Sequence, residues 1–198
     1  MNMQKIRPHL PWITLVVLVA IVGAANPGFL RPANLLEMAG DIVPLFVMAL
    51  GMTFVVYIGG IDLSAQSMAN LITVVATIYL ATLGPFVALL CIALGFGLGY
   101  LSGFVTTRLL VPSFISTLAT GGLAFSMAQW LSGQRAVTMD ADQRNRVFGW
   151  MIGKTGIVPN ELIIAVVLLG IALFIERRTT LGRVLKAVGA GELAAAAS

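Results

Sequence analysis

Asp62 stands in the stretch GGIDLSAQS, residues 59–67, with a long apolar run on either side. A carboxylate there has two chemistries open to it. It can accept orphan backbone N–H groups at the start of the following helix, with Gly59 and Gly60 ending the preceding one and Ser64 sharing the capping. Alternatively it binds a proton or cation inside a membrane, where a fixed charge costs about 2.5–3.5 kcal/mol on insertion scales. The flanking apolar runs offer it no basic partner, so the residues favour a cap or turn made by Gly59, Gly60, Asp62 and Ser64.

Two sets of uncharged polar residues follow helical spacing. Gln66, Asn70, Thr73 and Thr77 recur at i, i+4, i+7 and i+11, and Ser113, Ser116, Thr117 and Thr120 at i, i+3, i+4 and i+7. Each set therefore lies along one helix face. Donors and acceptors without fixed charge suit a neutral, hydroxyl-rich solute, which makes Gln66, Asn70, Thr73, Ser116, Thr117 and Thr120 the candidate substrate path. Ser and Thr can instead satisfy themselves on the i−4 carbonyl and merely pack helices, and this is the competing reading of the second set.

Other apparent chemistry fails on spacing. GWMIGKT, residues 149–155, has three residues between its glycines where a phosphate loop needs four, and no strand pattern precedes it. It reads as a loop with one exposed lysine. Cys91 is the single cysteine and His9 the single histidine, which excludes an intrachain disulfide and leaves no Cys/His metal site. No catalytic residues are expected, and the chain is not expected to be an enzyme. Gly95, Gly99 and Gly103 step by four in GFGLGYLSG; such a ridge lets helix backbones approach closely in a membrane and implies burial against another helix.

The elements that must carry these residues are set by composition. Of 198 residues, 59% are hydrophobic and 10% charged, with mean hydropathy +0.98, against about 25% charged in an ordinary soluble domain. The apolar residues form about six blocks, near 10–26, 41–58, 65–83, 85–110, 113–132 and 158–175. A hydrocarbon core of about 30 Å needs roughly 20 apolar residues per helix. The expected fold class is all-α, a polytopic membrane bundle with about six transmembrane helices. Pro85 and Pro112 sit where blocks hand over, as suits residues tolerated at a helix's first turn. Only 133–157 is polar and long enough for a real extramembrane loop.

Basic residues orient the spans. With the N-terminus cytoplasmic, Lys5, Arg7, Arg108, Arg177, Arg178, Arg183 and Lys186 share one side, while Arg31, Arg135, Arg144, Arg146 and Lys154 fall on the other. The net charge of +4 reflects these flanks and is no argument for nucleic acid. The first block has a competing reading as a secretory signal, with VGA at residues 22–24 as the cleavage site; a retained span fits better with the spans that follow.

Four segments carry a resemblance to a family. GMTFVVYIGGIDLSAQS resembles the second-to-third-span signature of ribose-type permeases of bacterial ABC importers, the branched BPD-transport-2 class, and GFVTTRLLVPSFISTLATGGLAF is similar to their segment entering the fifth span. The 133–160 loop, ending GIVPN, resembles their extracytoplasmic loop, and RRTTLGRVLKAVGAGELAAAAS resembles their ATPase-contact loop. Gln66 stands where the family usually has Gly, Ser102 where it commonly has Asn, and Gly191 where the contact loop usually has Asn.

The resemblance implies a ten-span subunit of a monosaccharide or small-polyol importer in the bacterial inner membrane. Its implied partners are a second permease subunit in a homodimer, a periplasmic sugar-binding protein and a cytoplasmic ATPase that binds ATP and Mg. It implies that Gly182, Arg183, Gly189, Glu192, Ala194 and Ala195 contact the ATPase. On this reading, residues 1–176 are an incomplete transmembrane permease domain and 177–198 a truncated cytoplasmic contact segment, with roughly four of ten spans missing. The alternatives are a non-functional permease fragment and an ion-coupled secondary transporter using Asp62.

Overall fold

Glycine and proline divide the apolar chain into helices. In the computed structural model, which describes residues 10–191, these are α1 (Leu10–Ala25), α2 (Pro32–Tyr57), α3 (Ala65–Leu83), α4 (Val87–Arg108), α5 (Ser113–Ser132), α6 (Ala141–Ile152), α7 (Asn160–Arg178) and α8 (Thr180–Ala190). A two-residue pair, β1 (Lys154–Thr155) and β2 (Val158–Pro159), lies between α6 and α7. Gly84, at φ +52°, stops α3, and Pro85 sits in the 3-10 turn Gly84–Phe86 that leads into α4. Pro112 is extended immediately before α5, and Gly133 ends that helix in the left-handed conformation.

Each of the six apolar blocks holds one long helix. By length and composition, two stretches among the described residues are long and apolar enough to cross a membrane: Pro32–Tyr57, and Ala65–Arg108, which comprises α3, the turn and α4. Apolar α1 is shorter, at 16 residues. The hydroxyls of α5 dilute its apolar character, and α7 carries Glu161 in its first turn and Arg177 and Arg178 in its last. Those charges complement the helix dipole.

Two boundaries differ from the sequence expectation. The second helix starts at Pro32 rather than 41, because Pro is pre-organised for a first turn and Leu, Glu, Met and Ala propagate a helix whatever their polarity. The 133–157 stretch is structured. Asp140 caps α6 by accepting the Gln143 N–H at 2.9 Å, and β1 pairs antiparallel with β2 across Gly156 at φ +64°. GWMIGKT falls on the end of α6 and on β1, where Lys154 is ion-paired with Glu37 of α2.

Packing sorts the helices into two bodies. In the first, α3, α4 and α5 pack against one another, with Leu71, Val74 and Val75 meeting Ala124 and Ala128. In the second, α2 packs on α7, β2 and α8, and makes no substantial packing with α3, α4 or α5. A Cβ on Gly40 of α2 would stand 3.3 Å from Pro159 Cβ and 3.2 Å from Glu161 Oε2, so the two helices pass closely there. Bridging the bodies, α6 touches α7 on one side and the Gly84–Phe86 turn and α3 on the other. No residue of α1 is buried.

The glycine ridge of α4 departs from its expected burial. A Cβ at Gly95, Gly99 or Gly103 would meet nothing within 4 Å. Rather than packing on a helix of the described chain, the ridge faces an open groove between the two bodies.

Candidate functional site

The site grows from the way α2 ends. Gly59 adopts φ +73°; its N–H donates to the Val56 carbonyl at 2.9 Å, and the Gly60 N–H to the Val55 carbonyl at 3.0 Å. This paired pattern is the Schellman arrangement, which satisfies two orphan carbonyls. The chain then runs outside any helix or strand to Ser64, the residue before α3.

Asp62 fixes that passage by a different bond from the expected one. Its Oδ1 accepts the Ser64 N–H at 2.7 Å and the Ser64 hydroxyl at 2.6 Å, an Asx turn. Neither Asp62 nor Ser64 takes an N–H from the first turn of α3. The carboxylate lies two residues before the capping position, and Ser64 Oγ is spent on Asp62, so capping of α3 is corrected to a turn. None of the ion pairs among the described residues includes Asp62.

The α5 hydroxyls hold the same passage from the side. Ser113 Oγ accepts the Ile61 N–H at 3.0 Å and Thr117 Oγ1 the Leu63 N–H at 3.1 Å. Thr117 itself donates to the Ser113 carbonyl at 2.8 Å. Ser116 Oγ lies 2.5 Å from Thr106 Oγ1 of α4, and Thr120 donates to the Ser116 carbonyl at 2.9 Å. Ser116, Thr117 and Thr120 are buried. Gly121 makes room for the passage, since a Cβ there would stand 3.2 Å from Ser64 Cα.

A groove of about 570 Å³ opens above this floor. Its walls are Met48, Gly51, Met52 and Val55 of α2 on one side, and the α4 glycine ridge with Ala65, Met68, Ala69 and Ile72 of α3 on the other. Asp62, Ser64, Ser102, Thr106, Thr107, Ser113 and Thr117 supply its polar groups. Of the six residues expected to form a substrate path, Thr117 alone lines the groove. Gln66, Asn70 and Thr73 are exposed on another face of α3, and Thr73 donates to the Ala69 carbonyl at 2.8 Å. Ser102, Thr106 and Thr107 were missed, although Ser102 and Thr106 continue the face of Gly95 and Gly99 at helical spacing.

Below the groove, α8 docks on the ends of α2 and α7. Thr179 accepts the Gly182 N–H at 3.3 Å and donates to the Ile175 carbonyl at 2.6 Å. A Cβ at Gly182 would overlap the carbonyls of Ile175 and Glu176, and one at Gly189 would overlap the Tyr57 carbonyl. Lys186 Nζ donates to Glu176 Oε1 at 2.7 Å and lies 5.7 Å from the Tyr57 ring centroid. Leu181, Arg183 and Val184 are exposed. Glu192, Ala194 and Ala195 lie outside the described residues, as do Lys5, Arg7 and His9.

The family model described as "Branched-chain amino acid transport system / permease component" matches residues 34–198. The chain is 30% identical over 190 residues to a ribose import permease protein of Haemophilus influenzae, with 92% of this chain and 58% of that protein covered. It is 31% identical over 201 residues to a ribose import permease protein of Bacillus subtilis, covering 98% and 59%, and 30% identical over 165 residues to a galactofuranose transporter permease protein of Escherichia coli strain K12, covering 81% and 46%. The chain thus spans a little over half the length of the ribose permeases it matches. No solved structure matches it. With the match running from α2 through α8, the chain belongs to the branched-chain amino acid transport system permease component family.

Proposed function

We propose that this chain acts as the membrane permease of an ABC importer for a monosaccharide or related small polyol. The observation that carries the reading is the match to sugar permeases over nearly the whole chain, joined to a groove that offers hydroxyl-binding groups with little fixed charge. The chain performs no hydrolysis; ATP and Mg are bound by a separate cytoplasmic ATPase, and solute arrives from a periplasmic binding protein. A second permease subunit, in a homodimer, completes the pathway.

In this reading α1, α2, α3, α4, α5 and α7 cross the inner membrane as six spans with the N-terminus cytoplasmic. Supporting it are one long helix in each apolar block and the basic flanks of α4, α7 and α8. Exposed Trp130 and Trp150 lie at the α6 end of the bundle, where aromatic side chains suit a membrane interface. The solute route follows the groove floor of Asp62, Ser102, Thr106, Thr107, Ser113 and Thr117. The exposed face of α8, with Leu181, Arg183 and Val184, meets the ATPase, and Gly182 and Gly189 seat that helix.

The test is ribose uptake in a bacterial host lacking its own ribose permease but retaining the ATPase and binding protein. The chain is supplied alone and fused to the C-terminal remainder of the Haemophilus influenzae relative. Labelled ribose accumulating with either form, and lost when Ser102 and Thr107 are changed to Val, supports the reading; no accumulation of ribose, galactose or xylose with either form overturns it.

A further inference from the structure

We propose that α2, α7 and α8 move as one lever, that its α8 end swings across the groove, and that closing lays α2 onto the glycine ridge of α4. This deepens the permease reading and rests on it. The lever is tied together at both ends. Gly40 brings α2 against Pro159 and Glu161 at one end; at the other, Gly189 of α8 abuts the Tyr57 carbonyl of α2 while Lys186 pairs with Glu176 of α7.

The rest of the bundle is a separate body. Helices α3, α4 and α5 share their own core, and α2 makes no substantial packing with any of them. Among the described residues, the main connections between the bodies lie at their two ends. At the far end α6 touches α7 and the Gly84–Phe86 turn, which sets the fulcrum. At the groove end the connection is the chain itself. Residues 61 and 63 are pinned to α5 by Ser113 and Thr117, so displacement of α2 must be taken up before them, at Gly59 and Gly60. Two adjacent glycines can absorb a change of φ and ψ that other residues resist.

The opposing surfaces suit closure. Gly51 of α2 faces the groove, as do Gly95, Gly99 and Gly103 of α4, and a Cβ at any of the four would meet nothing. The α2 wall also carries Met48, Met52 and Val55, and the side-chain-free ridge of α4 leaves the space into which they settle as α2 approaches. The lever arm is long: the 19 residues of α7 span about 28 Å at 1.5 Å per residue. Force applied to α8 acts at the end farthest from the fulcrum.

Disulfide trapping in native membranes tests this, with Cys91→Ala as the background. The pair Met52→Cys with Gly99→Cys spans the groove. The pair Thr53→Cys with Leu173→Cys lies inside the lever, where both residues line one small cavity. Expected is a disulfide in each. Gly95→Leu, which fills the groove, slows only the spanning pair, by about tenfold for an overpacked helix contact; Gly97→Leu, on another face of α4, changes neither. A spanning pair that never closes, or that closes at the same rate with Gly95→Leu, overturns the lever. So does a lever pair slowed in parallel with it. The same background chain, alone and fused to the C-terminal remainder of the Haemophilus influenzae relative, is assayed for uptake of ribose, galactose and xylose: trapping with no uptake by either form leaves the lever standing and removes the permease reading, whereas uptake without trapping does the reverse.

Discussion

Thr117 Oγ1 accepts the Leu63 N–H at 3.1 Å, joining α5 to a stretch 54 residues earlier in the chain. Leu63 lies outside any helix or strand, with no helical partner for that N–H, so the hydroxyl is what satisfies it. Thr117→Val keeps the shape and removes the acceptor, leaving a donor unpaired at a cost of about 1–3 kcal/mol. Thr117→Ser retains the bond. Hydrogen exchange at the Leu63 amide in detergent should accelerate in the Val variant and stay near wild type in the Ser variant. Equal exchange in all three would remove the staple from the account of this fold.

That bond also shows what the sequence can and cannot reveal. The stripe Ser113, Ser116, Thr117 and Thr120 is visible as helical spacing, and so is the helix that carries it. Its purpose is not, because a hydroxyl facing a solute and one facing the backbone of a distant segment have the same spacing. The same limit applies to Gln66, Asn70 and Thr73: periodicity places them on one face of α3, but which face meets the groove depends on how α3 packs against α5. The Gly59 turn was legible because left-handed backbone selects glycine. Lys186, Glu176 and Tyr57 were not legible as a set, since 129 residues separate the tyrosine from the lysine it lies under and nothing local links them.

Asp62 distinguishes a turn from an ion site. Asn preserves an oxygen able to accept from Ser64, whereas Leu removes both bonds that Oδ1 makes. In the uptake assay Asp62→Asn should retain most transport, and Asp62→Leu should lose it along with about 1–3 kcal/mol of local stability. Loss of transport in the Asn variant at normal membrane abundance would instead support ion coupling at this carboxylate.

Two contacts seat α8, and they differ in weight. The Lys186–Glu176 pair is half-exposed at the lysine, and water screens exposed ion pairs until they contribute little. Gly189 meets backbone, which cannot rotate away, so a side chain there forces the helices apart at a cost of about 1–3 kcal/mol. Lys186→Ala should therefore leave α8 amide protection nearly unchanged, and Gly189→Val should release it. A larger effect from the lysine than from the glycine would reverse this ranking.

Sidedness turns on a single helix. Asp142 lies in the first turn of α6 and Thr180 begins α8, both exposed, and α7 is the only long helix between them. The two positions therefore face opposite sides of the membrane only if α7 crosses it. Its 19 residues reach about 28 Å, close to the roughly 30 Å of a hydrocarbon core. The paired arginines at its C-terminal end favour the cytoplasmic side. In intact cells of a Cys91→Ala strain, a cysteine at Asp142 should react with a membrane-impermeant maleimide, and one at Thr180 should react only after the cells are broken. Equal reaction at both positions in intact cells would show that α7 does not cross, and the six-span arrangement would fall with it. Reaction at Thr180 alone would keep the crossing and invert the orientation, placing α8 where no cytoplasmic ATPase could reach it.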